Sequence, residues 1–167
     1  MAAVSYVTAS VKTPQHTGQY GDASIVSGRL DGSQAALGLS ASSDVVTVDL
    51  ATIRGGTEVY AWRLKWSALG TAASGKLGFR YVDPARAAKE PGYGTASKGY
   101  PTPAIDYFLT ATSMASAGNT SDILFAPVKF ELPVVLTLTV DTSSGTNIIP
   151  AAATVTALFD VKAKGSL

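Results

Sequence analysis

Large apolar side chains recur at every second position between residues 57 and 82. Tyr60, Trp62, Leu64 and Trp66 share one parity, and Leu77, Phe79 and Tyr81 keep the same spacing after a break rich in Gly, Ser and Ala. A two-residue period sends alternate side chains to opposite faces of a strand, so the stretch predicts a β-hairpin with its large residues on one buried face. Upstream, Val46, Val48 and Leu50 alternate with Thr47 and Asp49, and Arg54-Gly55-Gly56 supplies the turn into the Tyr60 strand. Downstream, Val134, Leu136, Leu138 and Val140 alternate with Val135, Thr137 and Thr139, and Val155, Ala157, Phe159 and Val161 return after a Ser143-Ser144-Gly145 turn. These two runs are expected to be adjacent antiparallel strands.

Tyr107, Leu109 and Ala111 alternate as well and predict a strand within 106–117, although the Ala/Ser/Met composition there also suits a helix. One short helix is expected after Tyr81, with Asp83 as its N-cap, Pro84 at its first position and Pro91 closing the stretch 85–90. The Gly- and Pro-rich segment 91–103 carries Tyr93, Lys98 and Tyr100. A loop of that length is usually functional or disordered, and a contact role is expected here. About eight to ten strands with turn signals between them give an all-β fold class, an antiparallel β-sandwich or jelly roll.

The first 43 residues break this regularity. Pro14, Gly18, Gly21, Gly28, Gly32 and Gly38 interrupt short β-prone pieces. Residues 1–43 are therefore expected as an extended N-terminal arm and 44–167 as the β-sandwich or jelly-roll domain. Val4, Tyr6, Val7 and Val11 are too apolar for a segment that stays solvated, so the arm is expected to order against a neighbouring subunit or another partner.

Composition narrows the classes of function. Of 167 residues, 46% are hydrophobic and only 15% charged, well below the usual quarter, so the surface is sparing in charge and suits a permanent partner. The net charge of +1 comes from scattered residues with no basic run, which argues against nucleic acid and acidic membrane as partners. Without cysteine there are no disulfides, thiolate metal sites or cysteine nucleophiles. The opening Met-Ala-Ala-Val-Ser-Tyr has neither a basic start nor a continuous apolar core, and the apolar stretch 133–140 is too short to span a bilayer. The chain is expected to be made and kept soluble inside a cell.

Candidate chemistry is sparse. Gly70-Thr71-Ala72-Ala73-Ser74-Gly75-Lys76 fits the first seven positions of a phosphate-binding P-loop, but Leu77 stands where Ser or Thr must hold magnesium, and strand rather than helix follows. A solvated hairpin loop is the expectation. The single histidine, His16, could orient Ser24 or pair with Asp22, yet it lies in the arm and no Gly-x-Ser-x-Gly elbow accompanies it. The acidic residues form no calcium-loop spacing, so neither a metal nor a cofactor is expected, and the chain is not read as an enzyme. Asn119-Thr120-Ser121 is formally a glycosylation acceptor and is expected to be a polar turn. Tyr60, Trp62 and Trp66 could stack on sugar rings. Arg63 and Lys65 already supply a wet face to that strand, so the aromatic row is expected to be core.

Three stretches carry a resemblance. They are Val11-Lys12-Thr13-Pro14 running to Gly18-Gln19-Tyr20-Gly21; Val48-Asp49-Leu50-Ala51-Thr52-Ile53-Arg54-Gly55-Gly56-Thr57-Glu58-Val59 with Ser67-Ala68-Leu69-Gly70 and the 77–82 strand; and the closing Thr-rich strand pair. In these the chain resembles the head decoration proteins of tailed bacteriophages, also called cement or capsid-stabilising proteins. It departs from them in the 91–103 insertion and in Arg54, where a proline is more usual. The resemblance implies a jelly roll or sandwich on the outer face of a phage head, commonly a homotrimer, with the major capsid protein as partner. It implies a virion location after synthesis in the host cytoplasm. Contact candidates are then Val4, Tyr6, Val7, Val11, Lys12 and Tyr20 in the arm, and Tyr93, Lys98 and Tyr100 in the loop. A carbohydrate- or receptor-binding module of a phage tail is the alternative, and it requires at least two of Tyr60, Trp62, Trp66, Tyr93 and Tyr100 exposed on one concave surface.

Overall fold

A computed structural model describes residues 3–7, 23–31, 45–70, 73–141, 150 and 152–165. Its nine strands are β1 (Ala3–Val7), β2 (Ala23–Asp31), β3 (Val45–Ile53), β4 (Thr57–Trp66), β5 (Ser74–Tyr81), β6 (Ala104–Ser113), β7 (Gly118–Phe130), β8 (Val134–Asp141) and β9 (Thr154–Ala163). Eight of them pair in a nested way: β2 with β9, β3 with β8, β4 with β7 and β5 with β6, all antiparallel. Such nesting makes one long two-stranded ribbon. Two further ladders, β4 with β9 and β5 with β8, roll the ribbon into two sheets of order β2-β9-β4-β7 and β1-β3-β8-β5-β6. The topology is that of an eight-stranded jelly roll, to which β1 adds a fifth strand running parallel to β3.

The all-β sandwich follows from the alternation, but two expected pairings do not. The 57–82 hairpin is absent, because β4 and β5 lie in opposite sheets. β8 and β9 are likewise in opposite sheets rather than adjacent. The physical reason is the same in both cases. Alternation reports which face of a strand is buried, and strands facing each other across one core show the same parity as neighbours in one sheet.

The core lies between the sheets and takes Val26 and Leu30 from β2, Val46, Val48 and Leu50 from β3, and Trp62, Leu64 and Trp66 from β4. Phe79 of β5 meets Phe130 at 4.8 Å between ring centroids, and Phe108 of β6 meets Phe159 of β9 at 5.8 Å. β-Bulges adjust the parity. The register of β4 against β9 slips by one residue between Val59 and Ala61, so Val59 and Trp62 both face the core and Tyr60 turns to the outer side. A second slip between Asp49 and Ala51 brings Leu50, Ala51 and Ile53 inward together.

Residues 134–140 of β8 are buried on both faces. Across this central strand Arg80 of β5 reaches Asp49 of β3, with Nη2 donating to Oδ2 at 2.6 Å and Nε to Oδ1 at 3.3 Å. Asp49 is buried and Arg80 half-exposed, so the pair closes over Thr137 while keeping one end in water.

Two parts of the expected 1–43 arm lie within the described residues, and both are strands. β2 pairs with β9 along all nine of its residues and buries Val26 and Leu30. Gly28, read in the sequence as a breaker, is a packing position. A Cβ there would lie 2.5 Å from Leu50 Cβ and 2.6 Å from Leu50 O, so the two sheets touch at this corner only because no side chain stands between them. The helix expected after Tyr81 is present as α1 (Pro84–Ala87), capped by Asp83, whose carboxylate accepts from the Arg86 N–H at 2.9 Å. The 106–117 segment is strand over most of its length, as β6.

Gly28→Val should lower the unfolding free energy by about 1–3 kcal/mol, because the clash is with backbone that cannot swing aside. Arg29→Ala at the exposed neighbour should stay within about 0.5 kcal/mol of the parent, with urea denaturation reading both. Equal effects of the two would show that the corner is not tightly packed.

Candidate functional site

The β3–β4 turn, the 82–103 connection and the β7–β8 turn gather at one end of the sandwich. Gly56 N–H donates to Phe130 O at 2.7 Å, Val82 N–H to Pro133 O at 3.1 Å, and Glu131 N–H to Gly99 O at 2.9 Å. The 82–103 connection is folded against this end. After α1, a 3-10 turn at Ala96–Lys98 is closed by an isolated bridge between Thr95 and Tyr100. Tyr81 Oη donates to Pro101 O at 2.9 Å from inside the core, and the ring of Tyr93 sits 6.2 Å from that of Tyr81. Gly99 has φ +79°, and a Cβ there would lie 2.5 Å from Glu131 Cγ. Only glycine lets the loop settle this close to the β7–β8 turn.

A cleft of about 400 Å³ lies at this end, lined by Gly55, Arg86, Glu90, Tyr100, Glu131, Leu132 and Pro133. Glu131 is buried and ion-paired with Lys129, and Arg86 approaches Glu90 at 3.8 Å one helical turn on. The Tyr100 phenol stands among these four charges. Burial first, then the carboxylates of Glu90 and Glu131, raise its pKa, while Arg86 and Lys129 pull against them. The phenol therefore stays protonated, as a hydrogen-bond donor beside paired charges, to higher pH than a free tyrosine. Such a cleft can recognise a polar side chain of a partner. Among the described residues no group of three His, Asp or Glu side chains is placed to hold a metal.

The expected contact residues divide into three sets. Tyr93, Lys98 and Tyr100 come together on the loop: Tyr93 is 40% exposed, Lys98 exposed and Tyr100 half-buried against the core. Val4, Tyr6 and Val7 are on β1, in register with Val46, Val48 and Asp49, at the opposite edge of the sheet from β6 and hence away from the loop. Val11, Lys12 and Tyr20 lie outside the described residues, as does His16. Ser24 Oγ, once considered beside His16, is buried without a hydrogen-bond partner among the described residues.

The remaining sequence candidates resolve individually. Lys76 belongs to strand β5, so no helix N-terminus follows the Gly70–Lys76 stretch. Asn119, Thr120 and Ser121 are in edge strand β7 opposite Lys65, Leu64 and Arg63, not in a turn. Trp62 and Trp66 are buried, with Trp66 Nε1 donating to Ser116 O at 2.9 Å, and the β4 bulge points Tyr60 away from them. Trp62 and Trp66 are core and Tyr60 lies on the outer face, so these three do not form the concave aromatic platform that a sugar site requires. Sequence reasoning missed the grouping of Arg86, Glu90, Lys129 and Glu131. No spacing joins the two pairs, since Arg86 is in α1 with Glu90 just beyond it, and Lys129 is in β7 with Glu131 in the turn that follows.

No protein-family model matches the chain, and no curated protein matches it in sequence. Among solved structures, a chain from the capsid of Ralstonia phage GP4 superposes with a TM-score of 0.60 at 13% identity, over 99% of this chain and 100% of that one. The periplasmic inhibitor of g-type lysozyme PliG from Aeromonas hydrophila covers 95% of this chain and 99% of its own at 10% identity, with a TM-score of 0.36 that carries no argument. The likeness to the phage capsid chain is one of fold.

Burial, reinforced by Tyr93, Tyr107 and Tyr100, pushes the Tyr81 phenol well above the ordinary tyrosine range. The folded state therefore favours the neutral phenol, and the stability it contributes is complete below the unfolded value of about 10 and is lost as pH rises beyond it. Tyr81→Phe should cost about 1 kcal/mol at pH 7, the hydrogen bond to Pro101, yet flatten the fall of Tm above pH ~10. Parallel alkaline falls in parent and variant would assign that loss to other groups.

Proposed function

We propose that this chain is a structural virion protein, a decoration or cement protein that binds the outer surface of an assembled phage capsid and stabilises it. The observation that carries the reading is the superposition on a chain of a phage capsid, over 99% of this chain and 100% of that one. The jelly roll, an architecture of capsid proteins among others, agrees with it. The partner is the major capsid protein of the head, the chain acts as a homotrimer, and neither nucleic acid nor membrane is engaged. It is made in the host cytoplasm and resides on the capsid exterior.

Such a role asks for contact rather than chemistry. The 91–103 loop meets that demand, since it is fastened at Tyr81, Gly99 and Glu131 while Tyr93 and Lys98 stay accessible. Binding by a pre-ordered loop avoids an ordering cost at the moment of association. Each subunit can hold its share of lattice weakly, because linking three contacts in one particle raises avidity by about 10²–10⁴. Whatever binds only the assembled shell then makes its disassembly harder by linkage.

Co-sedimentation with intact capsids of the phage that encodes the chain tests the reading. The chain should pellet with capsids and raise the temperature at which they break open. The double substitution of Tyr93→Ala with Lys98→Glu should weaken attachment at least tenfold, about 1.4 kcal/mol, without lowering Tm. A chain that stays in the supernatant at saturating concentration overturns the proposal. Undiminished binding of the loop variant moves the contact to the arm residues Val4 to Tyr20.

A further inference from the structure

The ladders fix which side chains share the outer face of the β2-β9-β4-β7 sheet. One lateral row runs Ile25, Asp160, Ala61, Ile123, and another, four residues along, runs Arg29, Thr156, Lys65, Asn119. Ile123 is 82% exposed and Ile25 57%, the two most exposed large apolar side chains among the described residues. Between the rows Arg63 is engaged by Asp160 at 2.6 Å. Arg29 and Lys65 are exposed, and no carboxylate pairs with either among the described residues. An open hollow of about 370 Å³ lies beside them, lined in part by Leu158, Thr156 and Asn119. This face therefore offers apolar side chains and two unneutralised cations.

A second surface has the opposite charge. Val82 and Ile105 are 50% and 48% exposed, and each is followed in sequence by an exposed carboxylate, Asp83 and Asp106. Both segments flank β5: Val82 continues from its last residue, and the backbone of Ile105 crosses Gly78 so closely that a Cβ there would lie 2.5 Å from the Ile105 carbonyl carbon. Asp83 is occupied only by the Arg86 backbone N–H, and Asp106 has no ion pair among the described residues.

We propose that these two surfaces bind each other between copies of this chain: the Ile25/Ile123 face of one subunit, with Arg29 and Lys65, packs on the Val82/Ile105 patch of the next, with Asp83 and Asp106. Apolar area meets apolar area and each cation meets a carboxylate, the arrangement that fixes register and suppresses the wrong orientation. Because the surfaces differ, the contact is head to tail, and rings close when its rotation permits. Neither surface includes Tyr93, Lys98 or Tyr100 of the loop, which remain for a shell. The contact rests on the reading above only for the number of subunits.

Sedimentation velocity of the full chain alone tests it, with three proteins: the parent, the double variant of Arg29→Glu with Lys65→Glu, and the single variant Asp106→Lys. The parent should form a discrete assembly, and each variant alone should dissociate at least tenfold more readily while keeping the parent's circular dichroism, and its Tm at a dilution where the parent too is monomeric. An equimolar mixture of the two variants should recover pairwise association, because the unaltered Arg29/Lys65 face of one then meets the unaltered Asp83/Asp106 patch of the other, although a three-membered ring of two alternating variants does not close. A monomeric parent at ~100 μM, corresponding to a contact weaker than that Kd, overturns the proposal. So do a single variant that associates like the parent and a mixture that fails to recover. Failure here with retained capsid co-sedimentation leaves the decoration reading intact, and assembly without co-sedimentation does the reverse.

Discussion

The ladders of β4 with β9 and of β5 with β8 are the constraint on which the rest of the molecule depends. Four nested antiparallel pairs alone would make a flat ribbon with one apolar face in water. The two rolling ladders fold that ribbon across itself, so that Trp62 and Phe159 on one side face Phe79 and Leu136 on the other within a single core. They also give the central strands partners on both edges, which satisfies their backbone groups. The remaining edges lie at β1, β6, β2 and β7. Of these, β6 and β7 are heavily bulged, a feature that discourages uncontrolled strand addition.

Rolling explains what the sequence disclosed and what it withheld. Strand positions were legible from Val46 to Leu50 and from Trp62 to Trp66, because burial of one face imposes alternation locally, and from Val134 to Val140 as a β-branched and apolar run of strand length buried on both faces. Helix α1 was legible too, since Asp83 and Pro84 specify a helix start through backbone geometry alone. Partnership was not legible: strands β8 and β9 share a parity because they bury into one core from opposite sheets. Gly28 misled for a related reason. Its role is set by Leu50 in another strand, and nothing in the local sequence distinguishes a close approach from a break. Tyr60 shows the same limit, as a single-residue bulge against β9 transfers it from the expected aromatic row to the outer face.

The candidate site was half legible. Segment 91–103 stood out through its Gly and Pro content and its two tyrosines, features that belong to the segment itself. What fastens it did not stand out, because Tyr81 reaches Pro101 from the core and Glu131 meets Gly99 from the β7–β8 turn. A loop held in this way at both Gly99 and Pro101 is a folded surface, and this is what lets a long insertion serve as a contact without becoming a disordered tether.

Location separates the two surfaces by function. The loop cleft lies at the end that holds the β3–β4 and β7–β8 turns, whereas the row of Arg29 and Lys65 lies toward the opposite end, where Ser67 N–H bonds Thr154 O and Met114 N–H bonds Ala73 O. A clamp on a lattice must hold its own neighbours and the lattice beneath at once, and it can do so only if the two contacts do not compete for the same residues. Charge is arranged accordingly. Within the cleft Arg86, Glu90, Lys129 and Glu131 neutralise one another, which suits a contact governed by shape and hydrogen bonds. On the sheet face Arg29 and Lys65 have no carboxylate partner among the described residues, which suits a contact that must select one orientation of an identical subunit. With only 15% of its residues charged, the chain spends few charges elsewhere, so the unpaired ones carry orientation information that a more heavily charged surface would obscure.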